Sequence, residues 1–350
     1  KKLFAFPPMH YNSIERSNNE LPKKNMPTSE LRVQNLKIAF SSNGEEQVAV
    51  RGISYHLNQG ETLALVGESG CGKTVSALSI LRLIPQPPGK ILDGKILFGK
   101  DDLLKLPAKE LRERRGRDIA MIFQDPMTCL NPVLTVGEQI IETLLRHTAI
   151  TRTAARKKTI ELLRQVDIPS PQQKLDQYPH QLSGGMRQRA MIAMAVSCSP
   201  RVLIADEPTT ALDVLVQAQI LDLLAQLKEE TLMSILLITH DLGVVAEIAQ
   251  RVLVMYAGEI VESGPVQGLF RKPLHPYTTG LMNSVPTLEH SQEKIHRLSE
   301  ISGTVPSLSQ TPPGCPFHPR CPLTEARCRT EKPVLREATP GHTVSCWLHQ

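Results

Sequence analysis

Residues 67–74 read Gly-Glu-Ser-Gly-Cys-Gly-Lys-Thr and satisfy G-x-x-x-x-G-K-[ST] at every fixed position. No other segment constrains the fold as much, because this loop works only between a strand and a helix. Both are present in the sequence. Thr62 to Val66 is a short apolar run that predicts a buried strand, and Val75 to Leu81 predicts a helix. Gly67, Gly70 and Gly72, with Ser69 and Cys71 between them, let consecutive backbone N–H groups curl round a phosphate without Cβ clashes. The helix N-terminus adds partial positive charge, so the loop favours an anion before any side chain is counted. Lys73 is placed to reach the β- and γ-phosphates, and the Thr74 hydroxyl to ligate Mg²⁺. A chance glycine-rich turn would not need this strand and helix around it.

The chain has 350 residues, enough for a full core and about two domains. A net charge of +5 is too small at this length to imply nucleic acid, and the basic clusters Lys109–Arg117 and Arg152–Lys158 read as solvated helix faces. No apolar run approaches the ~18 residues of a membrane span. The first residues lack the apolar core of a secretory signal. The expectation is a cytosolic protein that meets a membrane only through a partner. Residues 1–29 are polar, without sustained period, and read as a flexible extension.

Leu31–Phe40 and Val48–Leu57 alternate like half-exposed strands, which predicts an antiparallel sheet beside a parallel core. Phe40 could stack on adenine or face the core. Leu106–Arg117 predicts a charged helix, and Asp118–Phe123 a strand that delivers Gln124 to its end, within reach of Mg²⁺ or an attacking water. Thr135–His147 and Arg152–Val166 carry helical spacing and form a helical insertion. Ser183-Gly184-Gly185 opens another helix, an N-terminus suited to phosphate; an ordinary N-cap would explain the serine but not the paired glycines. Arg201–Ala205 is an apolar run ending in Asp206 and Glu207. The first matches the acid that holds Mg²⁺ through water, and the second could polarise a hydrolytic water. After Asp213 comes the helix Val214–Lys228, then the strand Ser234–Thr239. His240 follows it, on the edge where α/β sheets bind ligands.

Four of the seven cysteines, Cys315, Cys321, Cys328 and Cys346, lie in the last 36 positions. In a reducing compartment such a group argues for metal over disulfides. Four thiolates suit tetrahedral Zn²⁺, with His318 as a possible substitute ligand, or a 4Fe–4S cluster. Unligated buried thiols are the plain alternative.

Taken in order, the phosphate loop, the glutamine strand, Leu-Ser-Gly-Gly, Asp-Glu, Ala-Leu-Asp and a downstream histidine resemble the ATP-binding subunits of ABC transporters over residues 31 to 265. The resemblance implies that Lys73 and Thr74 bind phosphate and Mg²⁺, and that Gln124 is the Q-loop residue sensing Mg²⁺ and the membrane partner. It implies that Ser183, Gly184 and Gly185 clasp the γ-phosphate of ATP held by the opposite subunit. Asp206 is then the Mg²⁺-associated acid, Glu207 the base, Asp213 part of the D-loop and His240 the switch histidine. The family's aromatic adenine-stacking position falls near Phe40, and Met186 stands where many members have Gln. His275-Pro276-Tyr277, followed by a proline-rich tail with cysteines, is similar to the C-terminal extension of dipeptide, oligopeptide and nickel importers. That tail resembles an iron–sulfur site.

The implied architecture is an α/β P-loop ABC-type nucleotide-binding domain over residues 30–268, with a parallel core sheet, an antiparallel β subdomain and a helical subdomain at about 125–190. A C-terminal extension spans 269–350. The implied partners are a second, usually non-identical ATPase subunit, two permease subunits and an extracytoplasmic substrate-binding protein, with this chain on the cytoplasmic face of the inner membrane. Import as the direction follows from the resemblance alone. Two rival readings are a soluble ABC-type ATPase acting on nucleic acid or ribosomes, and a nucleotide-binding regulator that does not hydrolyse.

Overall fold

The structure is a computed structural model that describes residues 29–42, 44–125, 129–210, 212–284, 301–307 and 310–350. Of the flexible extension expected at 1–29, residues 1–28 lie outside the described residues, and Ser29 already belongs to the first strand.

Two sheets organise the chain. The smaller contains β1 (Ser29–Ser42), β2 (Glu45–Asn58), β4 (Gly89–Phe98) and β5 (Asp101–Asp102), antiparallel in the order β2-β1-β4-β5. The larger has eight strands in the order β11-β12-β10-β9-β3-β8-β7-β6. Its parallel part is built from β3 (Thr62–Val66), β6 (Ile119–Ile122), β7 (Val202–Asp206), β8 (Ser234–Thr239) and β9 (Arg251–Tyr256). Beyond β9 the pairing turns antiparallel through β10 (Glu259–Pro265), β12 (His342–Val344) and β11 (Arg336–Thr339).

The near-continuous apolar reading of β3, β6, β7 and β8 follows from burial on both faces, and every residue in the four is buried. Alternation within each strand divides the interior into layers. Leu203, Ala205, Ile235 and Leu237 face one core with the helices, whereas Val202, Ile204, Leu236 and Ile238 face another that includes Leu63 and Leu65. The helical layer holds Val136–His147 and Arg152–Gln165. Thr135 caps the first by accepting from Glu138 N at 3.2 Å, and Thr151 caps the second by accepting from Ala154 N at 3.3 Å.

A third core joins Val66, Val254 and Tyr256 of the sheet to Tyr277 and Phe317 of the extension. The extension therefore shares the core of the ATPase fold, and β12 pairs with β10 through Glu262↔Val344. Glu262 is fully buried. Its carboxylate accepts from Leu274 N at 2.8 Å and His275 N at 2.9 Å, and meets His342 Nε2 at 2.7 Å. One side chain thus ties β10 to both ends of the extension. Glu262→Ala leaves two backbone donors and a histidine without that partner, and is expected to cost about 3–5 kcal/mol in urea denaturation.

Candidate functional site

Parallel pairing brings the carboxyl ends of β3, β6, β7 and β8 to one edge of the sheet. Val66 is in register with Thr239, Asp206 with Ile238, and Ile122 with Ala205. The loops leaving that edge carry Gly67–Thr74, Gln124, Asp206–Glu207 and His240, as expected for ligand sites of open α/β sheets.

Gly67 has φ +154°, and a Cβ there would lie 2.2 Å from the Met255 carbonyl oxygen, so the loop closes against β9 only with glycine. Lys73 is 5% exposed and donates from Nζ to the carbonyl oxygens of Gly67 at 2.7 Å and Glu68 at 3.0 Å. These contacts fold the ammonium back over its own loop, beside the first turn of the helix Lys73–Ile80. Ser69 and Gly70 are exposed at the loop crest, whereas Cys71 and Gly72 are buried beneath it. The Cys71 thiol is pushed up by burial, which leaves it a protonated packing group.

Thr74 Oγ1 donates to Asp206 Oδ1 at 3.2 Å. Asp206 is 2% exposed, and burial pushes its carboxyl from the ordinary 3.8 to about 6. A hydroxyl beside a buried, acceptor-rich carboxylate is the oxygen donor set that a hard divalent cation takes, and such a cation would hold the carboxylate ionised. The residues present fit Mg²⁺.

Glu207 takes the left-handed conformation at φ +46°, a strained position for a side chain of this type. Its backbone N–H donates to Ile238 O at 2.8 Å and so pins the turn to β8. Both carboxylate oxygens are engaged. Oε1 lies 3.1 Å from His240 Nδ1; Oε2 accepts from Gln124 Nε2 at 3.0 Å and from Thr210 Oγ1 at 2.8 Å. Burial acts to raise this carboxyl, but the hydrogen bonds from Thr210 and His240 outweigh it and hold the group below the usual range. Glu207 is thus ionised at neutral pH and able to accept a proton.

Gln124 and His240, separated in sequence by more than a hundred positions, converge on this one carboxylate. Gln124, expected within reach of Mg²⁺ or an attacking water, here donates its amide N–H to Glu207. The segment 126–128 that follows it lies outside the described residues.

Ser183 caps the helix Gly184–Val196, its Oγ accepting from Met186 N at 3.3 Å. Gly184 opens onto free space, and a Cβ on Gly185 would meet Val216 Cγ1 at 3.0 Å. Among the described residues no hydrogen bond joins this turn to the phosphate loop of the same chain. Asp213 caps the helix Val214–Thr231 by accepting from Val216 N at 3.0 Å. Val214 and Leu215 at its start are 82% and 77% exposed. Phe40 is half-buried against the antiparallel-sheet core, with its ring edge close to Gly89. These are the neighbours of a core residue.

Three participants escaped the sequence reading. Thr210 grips Glu207, and Gln188 Nε2 donates to Pro208 O at 2.5 Å to hold the loop between them. Tyr277, read earlier only as a family marker, accepts from Glu68 N at 2.8 Å.

In the extension, Cys315, Cys321, Cys328 and Cys346 all line one cavity of about 20 Å³, together with Phe317 and His275. Burial, reinforced by the neighbouring cysteines, pushes the Cys315 thiol up to about 11. Yet among the described residues no group of three or more His, Cys, Asp or Glu side chains is gathered to hold a metal ion. Neither the 4Fe–4S site nor the tetrahedral zinc site expected from these cysteines is gathered here: the four thiols border a common space, and His318 turns its Nδ1 to Cys315 O at 3.0 Å.

Residues 50–210 match the ABC transporter family, and residues 261–328 match the oligopeptide/dipeptide transporter C-terminal region. The dipeptide transport ATP-binding protein DppD of Bacillus subtilis is 54% identical over 318 residues, covering 91% of this chain and 94% of that protein. The oligopeptide transport ATP-binding protein OppD of the same organism is 51% identical over 318 residues, covering 91% and 88%. Among solved structures, the ATP-binding cassette MJ0796, a dimer in a post-hydrolysis state bound to ADP and Pi, aligns with a TM-score of 0.61 at 27% identity, covering 67% of this chain and 98% of that one. The chain belongs to the ATP-binding subunits of ABC transporters, in the branch that carries the oligopeptide/dipeptide transporter C-terminal region.

Proposed function

We propose that this chain is the ATP-hydrolysing subunit of an importer that draws di- and oligopeptides through partner permeases, residues 30–268 carrying the ATPase and 269–350 the extension. The observation that carries the reading is the convergence of Gln124, Thr210 and His240 on Glu207, next to Asp206 at the end of β7 and on the same sheet edge as Lys73. Lys73 binds the triphosphate, and Thr74 and Asp206 hold Mg²⁺, with Gln124 completing the set. When bound, Mg²⁺ neutralises charge on the phosphate oxygens. Glu207 accepts the proton of the attacking water. His240 orients it through Oε1, while Gln124 and Thr210 hold Oε2 and so keep the base engaged until Gln124 shifts.

Ser183, Gly184 and Gly185 clasp the triphosphate held by a second ATPase subunit, which fits a turn that, among the described residues, makes no hydrogen bond to the phosphate loop of its own chain. The exposed Val214 and Leu215 fit burial at that subunit interface. The groove of about 440 Å³ that includes Leu134, Leu145, Glu138 and Arg152 on the helical layer, next to the exposed Val133, fits a docking helix of a permease. No helix among the described residues is long and apolar enough to cross a membrane, which is consistent with peripheral attachment to permeases on the inner face. A substrate-binding protein would deliver peptide from the other side.

Glu207→Gln is expected to abolish steady-state ATP hydrolysis, by at least about 10²-fold, with ATP affinity retained. Unchanged turnover would favour the non-hydrolytic regulator. Co-purification with ribosomes or DNA and without permeases would favour the soluble ATPase. Uptake of labelled dipeptide in a strain lacking the gene tests the substrate class.

The Asp206 carboxyl gives a pH signature. A carboxyl raised to about 6 must lose its proton to hold Mg²⁺. In the free protein its ionisation opposes folding, so that contribution to stability falls as pH rises from about 4 to about 6. The thermal upshift given by Mg²⁺–ATP over ATP alone is expected at pH 7.5 and to fade below pH 6. In Asp206→Asn it should be small at both.

An iron–sulfur cluster on Cys315, Cys321, Cys328 and Cys346, which match its donor number, would need these four thiols to move apart from the small cavity they border here and close on it. Anaerobically purified protein is expected to show stoichiometric iron and absorbance in the visible range, both lost in Cys321→Ser. Zinc without iron, or neither metal, rejects the cluster.

A further inference from the structure

The side chain of Glu68 occupies one of the free positions of the phosphate loop, and it turns away from the loop toward the extension. Arg320 meets it as a fork: Nη1 donates to Oε2 at 2.7 Å and Nη2 to Oε1 at 2.9 Å, across 252 residues of sequence. The Arg320 side chain is 5% exposed. Its remaining donors go to Ser302 O at 3.0 Å, Ile301 O at 3.1 Å and Tyr256 Oη at 3.5 Å, and its guanidinium lies 5.8 Å from the centroid of the Tyr256 ring. The backbone N–H of Glu68 is taken by Tyr277 Oη at 2.8 Å. Tyr277 packs at 4.7 Å on Tyr256 and at 5.4 Å on Phe317. Phe317 and Arg320 belong to the tight loop between Cys315 and Cys321, which is closed by His318 N to Cys315 O at 3.0 Å and Arg320 N to Phe317 O at 3.0 Å.

A carboxylate in a phosphate loop is an electrostatic liability, since an incoming triphosphate brings several negative charges close to it. A buried, bidentate guanidinium removes that liability and fixes the loop's backbone at the same time.

We propose that Arg320 is a positioning residue for nucleotide binding: the 315–321 loop of the extension clamps and neutralises Glu68, so that the state of that loop sets the ATP affinity of the phosphate loop. The two thiols that bracket Arg320 thereby gain a route to the nucleotide site. Anything that rearranges the loop loosens Glu68. The linkage is reciprocal, so bound nucleotide also steadies the loop.

The proposal rests on residues 67–74 being the ATP site, and the Lys73→Ala control separates the two ideas: intact ATP binding in that variant rejects the site itself. With the full-length chain, Arg320→Met is expected to weaken Mg²⁺–ATP binding in titration calorimetry by about tenfold or more. Arg320→Lys, which keeps the charge without the fork, should fall between. Glu68→Gln in the Arg320→Met background should recover part of the loss, because the uncompensated carboxylate is gone. A purely structural role would not produce this recovery. Affinity within twofold of wild type in Arg320→Met, or strictly additive effects of the two substitutions, overturns the proposal. In the wild-type chain, saturating Mg²⁺–ATP is expected to slow amide hydrogen exchange across 315–321. Exchange there that ignores nucleotide overturns it even if Arg320→Met does not fold.

Discussion

The catalytic edge exists because β3, β8, β7 and β6 are parallel and in register. Each strand ends where a polar group is wanted, and the hydrogen-bond ladder carries no side-chain freedom that would scatter those ends. Val66, Ile122, Asp206 and Thr239 close the four strands on one side of the sheet. Everything beyond them is loop, held by short contacts to a neighbouring strand. The Glu207 N–H to Ile238 O bond is typical: it fixes a strained backbone by tying it to an element whose position is already decided.

Two kinds of contact then act on this edge. Within the cassette, Glu207 gathers His240, Gln124 and Thr210, so this carboxylate is pre-oriented and also restrained. From outside it, Arg320 and Tyr277 hold Glu68 and set the phosphate loop from below. The aromatic packing of Tyr256, Tyr277 and Phe317 is the floor of the second. The extension is therefore built into the nucleotide site, sharing its core and its hydrogen bonds.

What could be read from the residues was what is local. The phosphate loop, the apolar strands ending in Gln124, Asp206–Glu207 and His240, and the cap Ser183 depend on a few consecutive positions with fixed stereochemistry. Helix limits moved by a few residues; the charged helix expected over 106–117 is confined to Ala108–Arg114. The Arg320–Glu68 fork was not legible, because one arginine among many surface cations gives no local sign of a partner 252 positions away. Thr210 had no signal either, since a hydroxyl beside a carboxylate is ordinary loop composition. The cysteines showed that a thiol site was plausible, but their spacing could not say whether loops of this length bring four sulfurs to a point. Phe40 sits on a strand whose two faces are both partly covered, and periodicity alone could not choose between them.

The eight-stranded sheet has a second border, far from the nucleotide edge. There the outermost strand is β11, four residues long, fully exposed and bearing Arg336 and Glu337. A long sheet with a bare apolar margin would invite other chains to add strands. A stub this brief and this charged ends the ladder instead and keeps its unpaired backbone from recruiting another chain.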